Sequence, residues 1–201
     1  MHPQPAGGIC DLRQIENEGL GLFAKVDIPE GTIISDEITV KIQTGPYKPS
    51  AATWQDPEFW EIYRTCGAAN VEQAISDHIA YYKDDTFQHA LFDRLSRSIS
   101  GEGLSDRANI VFSNCLPTKS KSSPFSVLFG ITTCAFNHAC IPNAKFIGIN
   151  LPDDTSKIRY QVVAIEFFKA NIEITVSYMI SNLPTAQRRL QIGHIPFRLR
   201  L

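Results

Sequence analysis

Phe136-Asn137-His138-Ala139-Cys140-Ile141-Pro142-Asn143 is the stretch that decides how this chain is read. Two asparagines, a histidine, a cysteine and a proline fall within the seven residues from Asn137 to Asn143. Asn137 and His138 set an amide beside an imidazole, so two kinds of hydrogen-bonding group stand together. Pro142 fixes one backbone angle and removes a donor. The flanking runs are apolar and suit strands: Val127-Leu128-Phe129-Gly130-Ile131 before, Ala144-Lys145-Phe146-Ile147-Gly148-Ile149 after. A polar knot between two such runs marks a site built into a core, because unpaired polar groups there are costly. The plainer alternative is an asparagine-rich turn.

Composition bounds the rest. The 201 residues suffice for one domain with a sizeable core, and 43% hydrophobic with 20% charged residues is a globular balance. A net charge of -2, from 19 basic and 21 acidic residues, argues against an electrostatic nucleic-acid binder. No apolar run is long enough to span a bilayer. The first ten residues are polar and rich in proline and glycine, without the apolar core of a signal peptide. The five cysteines (Cys10, Cys66, Cys115, Cys134 and Cys140) are an odd number without a framework spacing. That pattern implies a reducing, intracellular setting, cytoplasmic or nuclear.

Upstream, Glu18-Gly19-Leu20-Gly21-Leu22-Phe23-Ala24 places two glycines one residue apart. Such a pair allows a tight turn or a close approach of backbone to ligand. The dinucleotide fingerprint is excluded, because its third glycine is missing and no helix follows. Residues 23–28 and 33–40 are expected to form a β-hairpin about the turn Pro29-Glu30-Gly31-Thr32. Residues 46–105 read as a helical insert: one helix from Asp56-Pro57 to Gly67, a second from Asn70 through Tyr82, a third from Thr86 through Ile99. His78 and His89 on these helices read as packed or surface histidines. Residues 109–114 fit either a strand or a short helix, and residues 118–124 a surface loop.

Downstream, residues 158–165 alternate as a strand, and Lys169-Ala170-Asn171 makes a turn. Ile172, Ile174, Val176 and Tyr178 then alternate with Glu173, Thr175 and Ser177, the pattern of a half-buried strand ending on an inward tyrosine. A short helix is expected from Pro184 to Gly193.

Three features stand in order: the glycine pair with its Pro29-Glu30-Gly31 turn, the Asn137–Asn143 string, and Glu173-Ile174-Thr175-Val176-Ser177-Tyr178. This order resembles a SET domain, the fold of many protein-lysine methyltransferases, over roughly residues 9–190. The resemblance implies a mainly β fold with an α insert (α+β), in which several small sheets surround a C-terminal pseudoknot. Such threading is rare. It implies one SET domain over residues 1–201, with 46–105 as a divergent insert and 182–201 as a vestigial post-SET tail. It implies S-adenosylmethionine as cofactor, held by the backbone about Gly19, Leu20, Gly21 and Leu22 and by groups of Asn137 and His138. Tyr178 would be the catalytic tyrosine, and Phe197 would stack on the adenine. The implied partner is a protein bearing a lysine, with no direct contact to nucleic acid or membrane.

The residue types suit that chemistry. Methyl transfer from a sulfonium is an in-line displacement that needs no metal. The amine must be deprotonated and aligned, so positioning supplies much of the rate. A tyrosine hydroxyl at the methyl-transfer point can orient the amine or the methyl group, and backbone carbonyls can support developing charge. The plain reading of Tyr178 is a core tyrosine with a bonded hydroxyl.

The chain also departs from the family. Ala139 stands for the family's serine, and Asn171-Ile172-Glu173 for its Gly-Glu-Glu, although asparagine tolerates a left-handed turn. Leu199 and Leu201 stand where the zinc-binding cysteines of a post-SET segment would be. Cys140 would be the fourth ligand there, and without its thiolate partners no zinc site is expected. One wall of the substrate channel is then left to the insert or to another subunit. Two further readings stay open: a degenerate SET-fold binding or scaffold module, and an enzyme repurposed for a small molecule.

Overall fold

The computed structural model describes residues 8–15, 19–45, 58, 61, 68–82, 86–95, 105–117, 125–154 and 157–178. Strands β1 (Cys10–Ile15) and β2 (Gly19–Ala24) pair antiparallel, from Cys10 opposite Ala24 to Ile15 opposite Gly19. The main sheet is antiparallel and five-stranded, in the order β4-β5-β3-β8-β7. Its members are β3 (Ile33–Gly45), β4 (Leu116–Pro117), β5 (Phe125–Phe129), β7 (Ala144–Asn150) and β8 (Lys157–Ala164). A third sheet sets β6 (Asn137–His138) parallel to β9 (Thr175–Val176). Helices α1 (Ala68–Tyr81), α2 (Thr86–Arg94) and α3 (Asp106–Asn114) come between β3 and β4. This is the expected mainly β fold with an α insert. Among the described residues no helix is long and apolar enough to cross a membrane.

The helices form for local reasons. On α1, Val71, Ile75 and His78 are buried, a stripe at helical spacing that Tyr82 continues just beyond the last turn. Residues 109–114, ambiguous in sequence, are helical. The Ser105 hydroxyl caps α3 by accepting from the amide of Ala108 at 3.1 Å. That cap fixes a helix, and its inner face buries Ala108, Val111 and Phe112.

The expected hairpin of residues 23–28 with 33–40 does not form. β2 pairs with β1, whereas β3 pairs with β5 and β8. The turn itself is present, with the amide of Thr32 bonded to the carbonyl of Pro29 at 3.2 Å. It carries the chain from one sheet to another, because its flanks bond elsewhere. Ile28 bridges to Phe168, and Gly31 and Thr32 bond Ala164.

The tyrosine strand is also not half-buried. Glu173, Ile174, Thr175 and Val176 are all buried. Both of its edges are covered: Ile174 donates to the carbonyl of Leu22 on β2 at 2.8 Å, while Thr175 and Val176 pair with β6. Of the first expected insert helix (56–67) only Glu58 and Glu61 are described, both helical and exposed, while the end of the third (96–99), the loop 118–124, the helix 184–193 and Phe197 lie outside the described residues. A continuous core that includes Leu22, Ile28, Ile75, Leu91, Phe129, Phe136 and Ile174 joins the sheets to the insert. Each such side chain contributes about 1.5–3 kcal/mol by leaving water.

Candidate functional site

The site is built where three segments meet. β5 ends at Phe129, a turn with a 3₁₀ helix at Thr133–Ala135 follows, and β6 presents Asn137 and His138. Residues 171–178 return between β2 and β6. They enter through Asn171, which holds a left-handed φ of 68° while its amide bonds the carbonyl of Ala24 at 2.8 Å. Asparagine thus performs the turn expected of it.

Polar contacts lock these segments. The Asn137 amide nitrogen donates to the carbonyl of Leu20 and to Glu173 Oε1, both at 2.8 Å. Gly21 makes this layer possible, because a Cβ there would lie 2.5 Å from Glu173 Oε1 and 3.2 Å from Asn137 Nδ2. Asn143 stitches the returning segment. Its Nδ2 donates to the carbonyl of Glu173 at 2.8 Å, and its Oδ1 accepts from the amide of Thr175 at 2.9 Å.

His138 joins the same segment one residue pair later. Its Nδ1 accepts from the amide of Tyr178 at 3.0 Å, which places the proton of the neutral ring on Nε2. Cys140 Sγ lies 3.7 Å from that Nε2. The imidazole and phenol rings are 5.5 Å apart. The Tyr178 hydroxyl donates to the carbonyl of Phe136 at 2.5 Å. Burial lifts the Tyr178 phenol above its ordinary range, and Cys134 and Glu173 push the same way. The hydroxyl is therefore a neutral donor and acceptor. Burial likewise raises the Cys134 thiol, which suits it to packing rather than to attack.

Of the residues singled out in the sequence, Leu20, Gly21 and Asn137 come together at Glu173, and His138 and Tyr178 pair with each other beside them. Leu22 belongs to the core, fully buried and with its carbonyl taken by Ile174. Gly19 is exposed at the start of β2, where a Cβ would meet nothing within 4 Å. Glu173 and Asn143 carry the contacts that sequence reasoning did not assign. The signals were the acidic residue retained before the tyrosine strand and the closing residue of the asparagine string.

The donor set fits a cofactor with an amino group and a flat polar edge. Among the described residues, Asn137 Oδ1 accepts no hydrogen bond and β6 has a strand partner on one edge only. β2 fits less well, because β1 holds one of its edges and residues 172–174 the other.

A family model of the SET domain matches residues 19–179. No curated protein matches the chain. Among solved structures, the chain is similar to a Plasmodium falciparum protein assigned provisionally as a histone methyltransferase. The two share 15% identity at a TM-score of 0.42, over 89% of this chain and 97% of that one.

Proposed function

As the chain belongs to the SET domain family, we propose that it is an S-adenosylmethionine-dependent methyltransferase acting on a lysine of a protein. The observation that carries this reading is the convergence of Asn137, His138 and Tyr178 from two distant segments: Asn137 donates to the buried Glu173 and His138 accepts from the amide of Tyr178. When bound, the cofactor supplies an electrophilic methyl group on a sulfonium. Asn137 Oδ1 would accept from its amino group, and the outer edge of β6 would receive the adenine.

Tyr178 acts by position. Its phenol stays neutral because burial disfavours the phenolate. It is therefore not the base that deprotonates the lysine. Its hydrogen is directed to the carbonyl of Phe136, and its oxygen would accept from the lysine amine. Aligning that amine is where the catalytic effect arises.

The test is calorimetric titration with S-adenosylmethionine and, separately, S-adenosylhomocysteine. Wild type should bind both, and Asn137→Ala should weaken binding by about tenfold, the loss expected for one good hydrogen bond. Tyr178→Phe should keep binding and reduce methylation of lysine-containing peptides by about 10²-fold or more. A folded protein that binds neither ligand would sink the proposal.

A further inference from the structure

A second buried polar layer lies at the other end of the same turn. Glu37 on β3 is fully buried. Its Oε1 accepts from the amide of Thr132 at 3.2 Å, and its Oε2 accepts from the amide and the hydroxyl of Thr133, each at 2.7 Å. The Thr132 side chain does not cap the 3₁₀ helix that follows it. The carboxylate does so from across the sheet, at the end where peptide dipoles favour negative charge. A lone buried carboxylate would cost several kcal/mol, which these donors offset.

The insert reaches the same place. His78 Nε2 on α1 lies 3.5 Å from Glu37 Oε1 and has no better partner among the described residues. Gln88 on α2 donates to the Thr132 hydroxyl at 2.5 Å. Thr132 and Thr133 are both buried. Gly130 leaves room for the carboxylate, because a Cβ there would stand 2.6 Å from Glu37 Oε2.

The turn is a single unit. The amide of Cys134 bonds the carbonyl of Gly130 at 2.9 Å, and the amide of Ala135 bonds that of Thr132 at 3.0 Å. Its last residue is Phe136, whose carbonyl receives the Tyr178 hydroxyl. We propose that Glu37 is a positioning residue for Tyr178, acting through the turn 130–136, and that the helical insert takes part through His78 and Gln88. The inference rests on the role given to Tyr178 above. It makes the insert a support of the site itself, whatever it does for the substrate.

The experiment uses the full chain labelled with ¹³C at tyrosine Cζ, the Tyr178 resonance being assigned with Tyr178→Phe. Glu37→Gln keeps the shape but turns an amide nitrogen toward N–H donors. Thr133→Val keeps the carboxylate and both backbone bonds but removes the hydroxyl. Both should shift the Tyr178 resonance and speed amide exchange over residues 132–138 by about tenfold, the loss of one hydrogen bond to a charged group. Exchange across β7 and β8 should stay as in wild type. Thr133→Ser should restore both readouts. An unmoved Tyr178 resonance with unchanged exchange, in folded variants, would overturn the inference. If Glu37→Gln does not fold, the Thr133→Val and Thr133→Ser pair decides. S-adenosylhomocysteine titration run in parallel separates the two proposals. Wild type that fails to bind it removes the methyltransferase reading, while resonance and exchange still decide whether Glu37 sets Tyr178.

Discussion

Glu37 and Glu173 flank one turn, and each has a glycine pressed against it. A Cβ on Gly130 would fall 2.6 Å from the first carboxylate, and a Cβ on Gly21 would fall 2.5 Å from the second. The two layers differ in what they leave open. Glu37 draws its donors from backbone and hydroxyl groups deep in the core. Glu173 draws on the side chain of Asn137, whose oxygen remains uncommitted among the described residues. The first arrangement fixes a backbone. The second fixes a side chain and still presents an acceptor, which is what separates a support from the binding site proposed above.

Paired glycine substitutions are the strongest way to break this distinction. Gly130→Ala should cost stability toward the upper end of about 1–3 kcal/mol, because Glu37 and Thr39 are both wholly buried and have little room to yield. Gly21→Ala should cost less, since one of its close contacts is the end of the half-buried Ile15 side chain. It should lower S-adenosylhomocysteine affinity more than it lowers stability. Urea denaturation beside calorimetry reads both, and equal effects at the two sites would erase the contrast.

A comparable test is Asp36, the neighbour of Glu37 on β3. Arg159 Nε donates to Asp36 Oδ1 at 2.7 Å and Gln161 to Oδ2 at 2.9 Å. The Arg159 hydrogen bond holds this carboxyl below its ordinary range against the opposing effect of desolvation. The folded value is the lower one. The contribution to stability is therefore present above the ordinary carboxylate range and is lost as pH falls through that range toward the folded value. Asp36→Asn should cost about 1.5–3 kcal/mol at neutral pH and flatten the acid limb of a stability–pH profile. An unchanged acid limb would remove Asp36 as its cause. The smallest effect belongs to the exposed pair Lys157–Asp154, 3.3 Å apart. Lys157→Ala should change stability by less than about 0.5 kcal/mol in the same denaturation assay.

What was legible in the sequence follows the same division. Asn137 and His138 could be read because they are adjacent, and Tyr178 because an alternating run leads to it. Asn171 could be read because a turn there needs a left-handed residue. Glu37 left no local trace: the donors it binds lie 95 and 96 residues away, in a turn with no polar motif of its own. The hairpin about Pro29 failed for a related reason. A turn sequence specifies a reversal of direction, whereas the choice of strand partner is made by other segments, here the preceding β1 for β2 and the distant β5 and β8 for β3. Helix α3 was ambiguous because Ile110, Val111 and Phe112 suit strands as well, and its Ser105 cap decided the matter.

The parallel pairing of residues 137–138 with 175–176 also sets an order of assembly. Synthesis runs from the N-terminus, so β2 emerges with one edge satisfied by β1 and the other bare. That edge is filled only when residues 172–174 have left the ribosome, and Asn137 has no Glu173 to bond until then. Such contacts, distant along the chain, form late. A nascent chain shorter than about 178 residues thus lacks the contact of His138 with Tyr178, and the site proposed above is not assembled. Its bare β2 edge is the place where an interrupted product would pair with the wrong strand.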